Sequence, residues 1–525
     1  MSEFTWKKAR KELASRRARA LEHGGREKVA KQRSAGRGLA RERLAMMVDP
    51  GSFTEIGTLA THQEFDTQGN ALEPTPAPFI TGLAKVDSRS VVVGADDFTV
   101  SGGHTMLLER HKGMFQGGFA EDLAHEYRIP LLECIENVGG GVGITQAKGY
   151  SMSPTSHSFG RCLDLLGEVP VLMAGMGACA GGAGSRLIMS HFSVMTRDTA
   201  CAFGGGPPMV ERSLGRKVDK FALGGAEIHT KISGIVDNVA QDEAHAIAQM
   251  KQVLGYLPQN VWEMPPYRET DDPIDRRDET LLKIVPENRR RAYDSHKLID
   301  VIVDRGSFFE IGRDWGRSLV VGLCRFGGFP VGILANNPMH LGGALDSQAS
   351  DKHTRFIEFM DTFHIPIVYL VDVPGFMVGE EAEQSGILRR GTRAIQAMAE
   401  TTTPVITVQI RKSMGMAAMA TSNPYGMNLR VVWPSAEFGD MPVEGAVMAV
   451  YRRAIEAAPD PEAYRKSVET QLLEASLPWK TAEAFGIEEL IDPTETRELI
   501  CRFIDAAQGR IKTLLGRKSR YGVRV

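Results

Sequence analysis

No stretch of the 525-residue chain approaches the ~20 consecutive apolar residues of a membrane-spanning helix. The most apolar segment, VPVLMAGMGACAGGAG (169–184), is short and broken by glycine, so no transmembrane helix is expected. An excess of either charge is missing as well. With 62 Lys and Arg against 65 Asp and Glu, the formal net charge is −3, and electrostatics gives no reason to expect a nucleic-acid partner. The six cysteines (134, 162, 179, 201, 324 and 501) form no CxxC pair and no metal-ligand spacing with histidine. The expectation is therefore buried reduced thiols of a cytoplasmic protein, with no metal. Also absent are a GxxxxGK[ST] phosphate loop, a strand–GxGxxG–helix followed by an acid, and a GxSxG nucleophile elbow. GGGVG (139–143) is glycine-rich but matches none of them.

Glycine is abundant, at 55 residues concentrated in a few loops, where backbone must approach something closely or take positive φ. One glycine motif occurs twice: GSFTEIG (51–57) returns as GSFFEIG (306–312), 255 residues later. Following the repeat outward keeps the order. MVDPGSFTEIG pairs with IVDRGSFFEIG, FITGLAKVDSRSVVVGADD (79–97) with LVVGLCRFGGFPVGILANN (319–337), and YRIPLLECIENVGGGVG (127–143) with FHIPIVYLVDVPGFMVG (363–379). In the last pair Ile-Pro opens an aliphatic run that stops at glycine, as a buried parallel strand entering a loop does. The chain therefore reads as two diverged copies of one α/β unit. Its expected parts are an N-terminal domain (1–255) with a basic helical arm (1–45) on its surface, a proline- and charge-rich linker (256–295), and a C-terminal domain (296–525).

CAGGAGSRLIM (179–189) and SMGMAAMAT (413–421) occupy equivalent places, each between a strand and an apolar helical segment, with Gly181 and Gly415 eleven residues after Pro170 and Pro404 respectively. At such a junction, backbone N–H groups point outward at the positive end of the helix, suited to an anion or to a carbonyl oxygen becoming one. Tight helix-on-strand packing would also ask for Gly181 and Gly182, but the recurrence in both copies favours donors. Where the first copy has Gly182 the second has Met416, which keeps the amide. His104, His229 and His340 sit by glycine loops without an evident acid partner and read as loop-ordering residues.

LARERLAMMVDPGSFTEIG, DFTVSGG (97–103), CAGGA, LGGAEIHTKISGIVD (223–237), NNPMHLGGALDSQASDKHTRFIEFMDTFHIPIVYLVDVPGF and VVWPSAEFGDMPVEGAV resemble the carboxyltransferase (β) subunits of biotin-dependent acyl-CoA carboxylases, from about residue 35 onward. The resemblance implies two duplicated crotonase-like (ClpP/crotonase) domains and a homo-hexamer built as a trimer of dimers. Its active site would lie between the N-domain of one subunit and the C-domain of another. Two carbonyls gain charge in that chemistry, the acyl-CoA thioester and the biotin ureido group. Amides of Gly181 and Gly182 would serve the first, and those of Gly415 and Met416 the second. Gly139, Gly140, Ala180, Gly205, Gly206, Met414 and Met419 would line the substrate.

The resemblance further implies coenzyme A as part of the substrate and biotin supplied as carboxybiotin by a partner, a biotin carboxylase or biotin carboxyl carrier subunit. The chain itself has no AMKM-like attachment site; its only MK pair lies in AQMKQV (248–253). Departures are visible too. ENVGGGV (136–142) lacks the arginine of DSGGAR-type loops, MGMAAM stands where propionyl-type enzymes read YGGAYD, and Met419 occupies the position that helps set acyl size. With Met414 and Met416 this predicts an adaptable apolar wall and a substrate other than propionyl-CoA. Asp440 and Glu444 read as helix N-terminal acids. A biotin-dependent decarboxylase, a non-catalytic CoA-binding assembly subunit and a crotonase-type hydratase or isomerase stay open as alternatives.

Overall fold

The computed structural model describes residues 4–62, 75–103, 118–139, 157–426, 428–519 and 522–524, except for the side chains of 157, 158 and 444. The first half contains β1 (Thr54–Ile56), the small hairpin β2 (Thr61–His62) and β3 (Thr75–Pro76), β4 (Phe79–Val86), β5 (Arg89–Asp96), β6 (Leu131–Asn137), β7 (Val171–Ala180), β8 (Phe192–Thr196), β9 (Cys201–Phe203) and β10 (Asn238–Ala240). The second contains β11 (Phe309–Ile311), β12 (Leu319–Phe326), β13 (Phe329–Asn336), β14 (Ile367–Val373), β15 (Val405–Met414), β16 (Leu429–Val432), β17 (Glu437–Gly439) and β18 (Glu489–Leu490). The sheet orders match position for position: β1-β4-β5-β6-β7-β8-β10 with β9 on β7, and β11-β12-β13-β14-β15-β16-β18 with β17 on β15. In both, an antiparallel edge of three strands passes into a parallel centre. Both central strand pairs carry a register shift at the same place, between Ile135 and Asn137 and between Val371 and Val373.

The repeated motif has a definite local task. The Asp49 carboxylate accepts the amides of Asp87 and Ser88 in the turn between β4 and β5, and Asp304 accepts those of Gly327 and Gly328 between β12 and β13. The following glycines, Gly51 and Gly306, take φ of +75° and +69°. Chain reversal then delivers β1 and β11 to the edges of their sheets.

The halves share a core. One apolar cluster joins Phe192, Val194 and Met250 to Phe309, Phe356, Phe359 and Phe363. The Phe192 and Phe309 rings meet edge to face at 5.7 Å. Asn238 ties the seam, accepting from the Gly312 amide at 2.9 Å and donating to the Glu310 carbonyl at 3.1 Å.

The basic arm begins as an exposed helix, Trp6–Ala20, with no buried residue. Its continuation is clamped rather than loose. His23 meets Asp97 at 2.6 Å, the Gly24 amide donates to Thr99 Oγ1 at 2.9 Å, and Gln32, Arg37 and Arg43 converge on the buried Glu136 carboxylate at the end of β6.

Candidate active site

β7 ends at Ala180 and the helix Gly182–Ile188 begins two residues later. Gly181 between them has φ +56° and ψ −119°, a conformation that a β-carbon strains. In the second half Gly415, φ +58°, stands between β15 and the rest of the short helix Gly415–Ala418. A β-carbon on Gly181 would find nothing nearer than the Gly204 carbonyl oxygen at 3.8 Å, whereas one on Gly415 would press on that of Asp440 at 2.9 Å.

The hydrogen bonding occupies one expected donor. The Gly181 amide donates to the Phe203 carbonyl at 2.9 Å, tying the turn to β9, and the Ser185 amide starts the helix by donating to the Gly181 carbonyl. The amides of Gly182, Ala183 and Gly184 then lie in the first turn, beyond the reach of any intrahelical carbonyl. Of the expected donor pair Gly181 and Gly182, the Gly181 amide is thus already bonded. The cause is β9, a three-residue strand too short to read from sequence.

Of the expected lining residues, Gly139 packs directly on the loop: its φ is +82°, and a β-carbon there would lie 2.7 Å from the Ala180 carbonyl oxygen. Gly140 lies outside the described residues, as does His104. Gly205 and Gly206 lead into the helix Pro207–Leu214, and the Gly206 position abuts the Phe203 ring. His229 donates through Nε2 to the Ala202 carbonyl at 2.7 Å, so it orders β9. The three methionines separate. Met416 and Met419 are 53% and 59% exposed, while Met414 is 1% exposed at the end of β15, its sulfur against Gly439. Met414 therefore belongs to the core, because it is the last inward residue of a buried strand.

Beneath the first loop lies a group that sequence reasoning missed. Arg186, on the last turn of the helix Gly182–Ile188, is buried and pairs with Asp96 at 2.5 Å and with Glu133 at 3.3 Å, its guanidinium 5.5 Å from the Phe79 ring centre. Glu121 is buried beside them, on the helix Phe119–Tyr127. Burial pushes the Glu121 carboxyl up to about 7 and the Glu133 carboxyl up to about 8, with Arg186 opposing the rise in both. Asp96 also accepts the Glu136 amide at 3.0 Å, and Asn137 donates to Gly103 while accepting from Gly139. The cluster thus links the helix after Gly181 to the loops ending β5 and β6. The available signal was charge inside apolar runs, as in LLECIEN and SRLIM.

No group of three or more His, Cys, Asp or Glu that could hold a metal ion occurs among the described residues, and no helix there is long and apolar enough to cross a membrane. The arrangement offers paired backbone donors at two equivalent strand–helix junctions, which is equipment for stabilising charge on carbonyl oxygens.

Comparison with known proteins fits that equipment. The carboxyl transferase domain model matches residues 31–521. The chain is 37% identical over 497 residues to the carboxyltransferase subunit of propionyl-CoA carboxylase from Haloferax mediterranei, covering 93% of each chain. It is 36% identical over 502 residues to the biotin-dependent long chain acyl-coenzyme A carboxylase beta4 subunit of Mycobacterium tuberculosis, covering 93% of this chain and 92% of that one. Among solved structures, the hexameric transcarboxylase 12S with bound methylmalonyl-coenzyme A superposes with a TM-score of 0.87 at 33% identity, covering 97% of this chain and 96% of that one. The duplicated crotonase-type architecture, the paired junction glycines and these matches together show that the chain belongs to the carboxyl transferase family, the carboxyltransferases of biotin-dependent acyl-CoA carboxylases.

Proposed function

We propose that this chain is the carboxyltransferase component of a biotin-dependent acyl-CoA carboxylase, moving a carboxyl group from carboxybiotin on a partner carrier to the α-carbon, or a vinylogous carbon, of an acyl-CoA. The observation that carries the reading is the duplicated junction, Gly181 at φ +56° and Gly415 at φ +58°, each leading into a helix start. In this reading the amides of Gly182 and Ala183 take up the charge that the thioester oxygen gains when the α-proton leaves. Those of Gly415 and Met416 take up the charge on the ureido oxygen as the carboxyl group departs, and the ureido nitrogen then accepts the α-proton. Each such donor is worth ~3 kcal/mol of transition-state stabilisation.

The remaining parts follow from the same reading. The loop at Gly181 of one subunit faces the loop at Gly415 of another in a homo-hexamer, supported by the hexameric assembly named for transcarboxylase 12S. A biotin carboxylase with its biotin carrier supplies the carboxyl donor, and the complex works in the cytoplasm. The exposed Met416 and Met419 offer a deformable apolar rim that suits an acyl group larger than propionyl.

The test is transfer from carboxybiotin to a panel of acyl-CoAs of graded chain length by the purified chain. Transfer favouring chains longer than propionyl is expected. Binding of CoA esters with no transfer to any of them would show a non-catalytic assembly subunit instead, and turnover of an enoyl-CoA without biotin would show a hydratase.

A further inference from the structure

The two halves provide an internal control for the buried cluster. Sheet register aligns Asp96 with Asn336, Glu133 with Tyr369 and Arg186 with Ala420, while the left-handed residues Arg128 and His364 that close the preceding helices align Glu121 with Ile357. The shared framework bond survives the change: Asp96 accepts the Glu136 amide, and Asn336 Oδ1 accepts the Asp372 amide at 3.3 Å. The element after Gly415 is held by uncharged bonds, His353 Nε2 donating to the Ala420 carbonyl at 2.9 Å and Thr407 Oγ1 to the Thr421 carbonyl at 2.7 Å. The same turn, with nearly the same glycine φ, therefore forms without a charged side chain at any of the four aligned positions; the buried Asp372 and Arg411 of this half lie towards the ends of β14 and β15. The ionic cluster is not what the fold requires; it is confined to the half that meets the acyl-CoA under the functional reading above, on which this inference rests.

We propose that Arg186, clamped by Asp96 and Glu133, is a positioning residue of the N-terminal half-site: it sets the helix whose first amides meet the thioester oxygen and, with its carboxyl neighbours, fixes the charge beneath that oxygen. Its reach is direct, since it stands four residues after Gly182 on a helix of only seven residues. The groups that face the cluster are Asp96 on β5, Glu121 and Asp122 on the helix Phe119–Tyr127, Glu133 and Cys134 on β6, Cys162 on the helix His157–Leu165, Cys179 on β7, and Arg186 itself. With Asp96 and Arg186 ionised, both glutamates protonated and Asp122 paired with Arg161 at 3.0 Å, this group is neutral. Loss of the glutamate protons makes it anionic below the oxygen on which negative charge must develop, which opposes the reaction. The burial of Glu121 and Glu133, which raises both carboxyls, agrees with their being protonated near neutrality.

The experiment compares wild type, Arg186→Lys, Glu133→Gln and the charge-free triple variant Asp96→Asn/Glu133→Gln/Arg186→Met, all as the assembled enzyme with carboxybiotin and the best acyl-CoA of the panel. The triple variant is expected to fold and assemble and to keep its KM for acyl-CoA within about twofold while kcat falls about tenfold or more. Arg186→Lys should recover part of that loss, and Glu133→Gln should weaken the alkaline fall in kcat. A folded triple variant with wild-type kcat overturns the proposal, and so does a loss that Arg186→Lys does not relieve. If the triple variant does not fold, Glu133→Gln decides alone: an alkaline limb identical to wild type overturns the proposal. Absence of transfer by the wild-type protein would instead remove the functional reading and this role with it.

Discussion

At the scale of single residues, the two junction glycines share a conformation but not a neighbourhood, and that difference separates what their substitution should do. Alanine at either position carries the strain of positive φ, on the order of 1–3 kcal/mol. At Gly181 the added methyl finds open space, the nearest atom being 3.8 Å away. At Gly415 it meets the Asp440 carbonyl oxygen at 2.9 Å, so the segment leading into the helix Val443–Val450 must shift as well. Gly415→Ala is therefore expected to lose more carboxyl transfer and to melt at a lower temperature than Gly181→Ala. Parallel assays and thermal melts check this; equal losses would mean that the backbone strain alone decides. Both glycines were legible in the sequence because strand, glycine and apolar helix follow in a fixed register from Pro170 and Pro404. Which amides remain at the helix start was not legible, since it depends on the Phe203 carbonyl, brought to Gly181 by a strand that pairs non-locally.

At the scale of elements, the strand and helix pattern of each copy follows from local chemistry, and the cluster that anchors one of those helices does not. Ile-Pro entries, β-branched runs and glycine stops identify β6 and β14 before any tertiary information. Glu133 carries no such mark, because a glutamate within seven residues of buried strand is placed only by its partner, and Arg186 lies 53 residues further along the chain. Its protonation has a thermodynamic signature. The folded state holds the Glu133 carboxyl at about 8, above the usual glutamate value of 4.5, so between these pH values the folded protein binds more protons than the unfolded chain. Stability must then fall as pH rises through that window, by up to ~1.4 kcal/mol per pH unit. Glu133→Gln should gain on wild type steadily from pH 5 to pH 8 and show no further gain above it. Denaturant titrations at a series of pH values read this directly, and a difference independent of pH would contradict a protonated Glu133.

At the scale of the whole molecule, the seam between the halves sets the opposite limit on pH. The Trp315 ring of the second half lies where a β-carbon on Gly234 of the first would sit, at 2.2 Å, so these surfaces interlock through a glycine with φ +66°. Deeper in the seam His191, from the first half, packs against Phe359 and Phe363 at 5.6 and 4.7 Å between ring centres and bonds through its two nitrogens to the Leu166 carbonyl and the Val171 amide. Accepting the Val171 amide at Nδ1 requires a neutral imidazole, and burial lowers its pKa to about 3. His353 and His364, against the same second-half core, are each lowered to about 4 by burial. All three unfold into a chain where they would protonate near 6.5, so each contributes stability that is complete above that pH and is lost as pH falls toward 4. The raised carboxyls Glu121 and Glu133 act in the other direction, removing stability as pH rises from 4.5 toward 8. Between pH 4.5 and 6.5 three histidines outweigh two glutamates. Above 6.5 the glutamates, joined by His296, whose pKa the hydrogen bond to Glu310 raises, go on removing stability. Lys352, lowered to about 8 by burial, restores some only from that pH upward. Stability should therefore peak near pH 6.5, with the acid limb steeper than the alkaline one. Because the core cluster crosses the seam, both limbs should appear in a single cooperative transition followed by tryptophan fluorescence and by circular dichroism. Separate transitions for the two halves, or a maximum displaced above pH 8, would show that the seam histidines do not govern the acid limb.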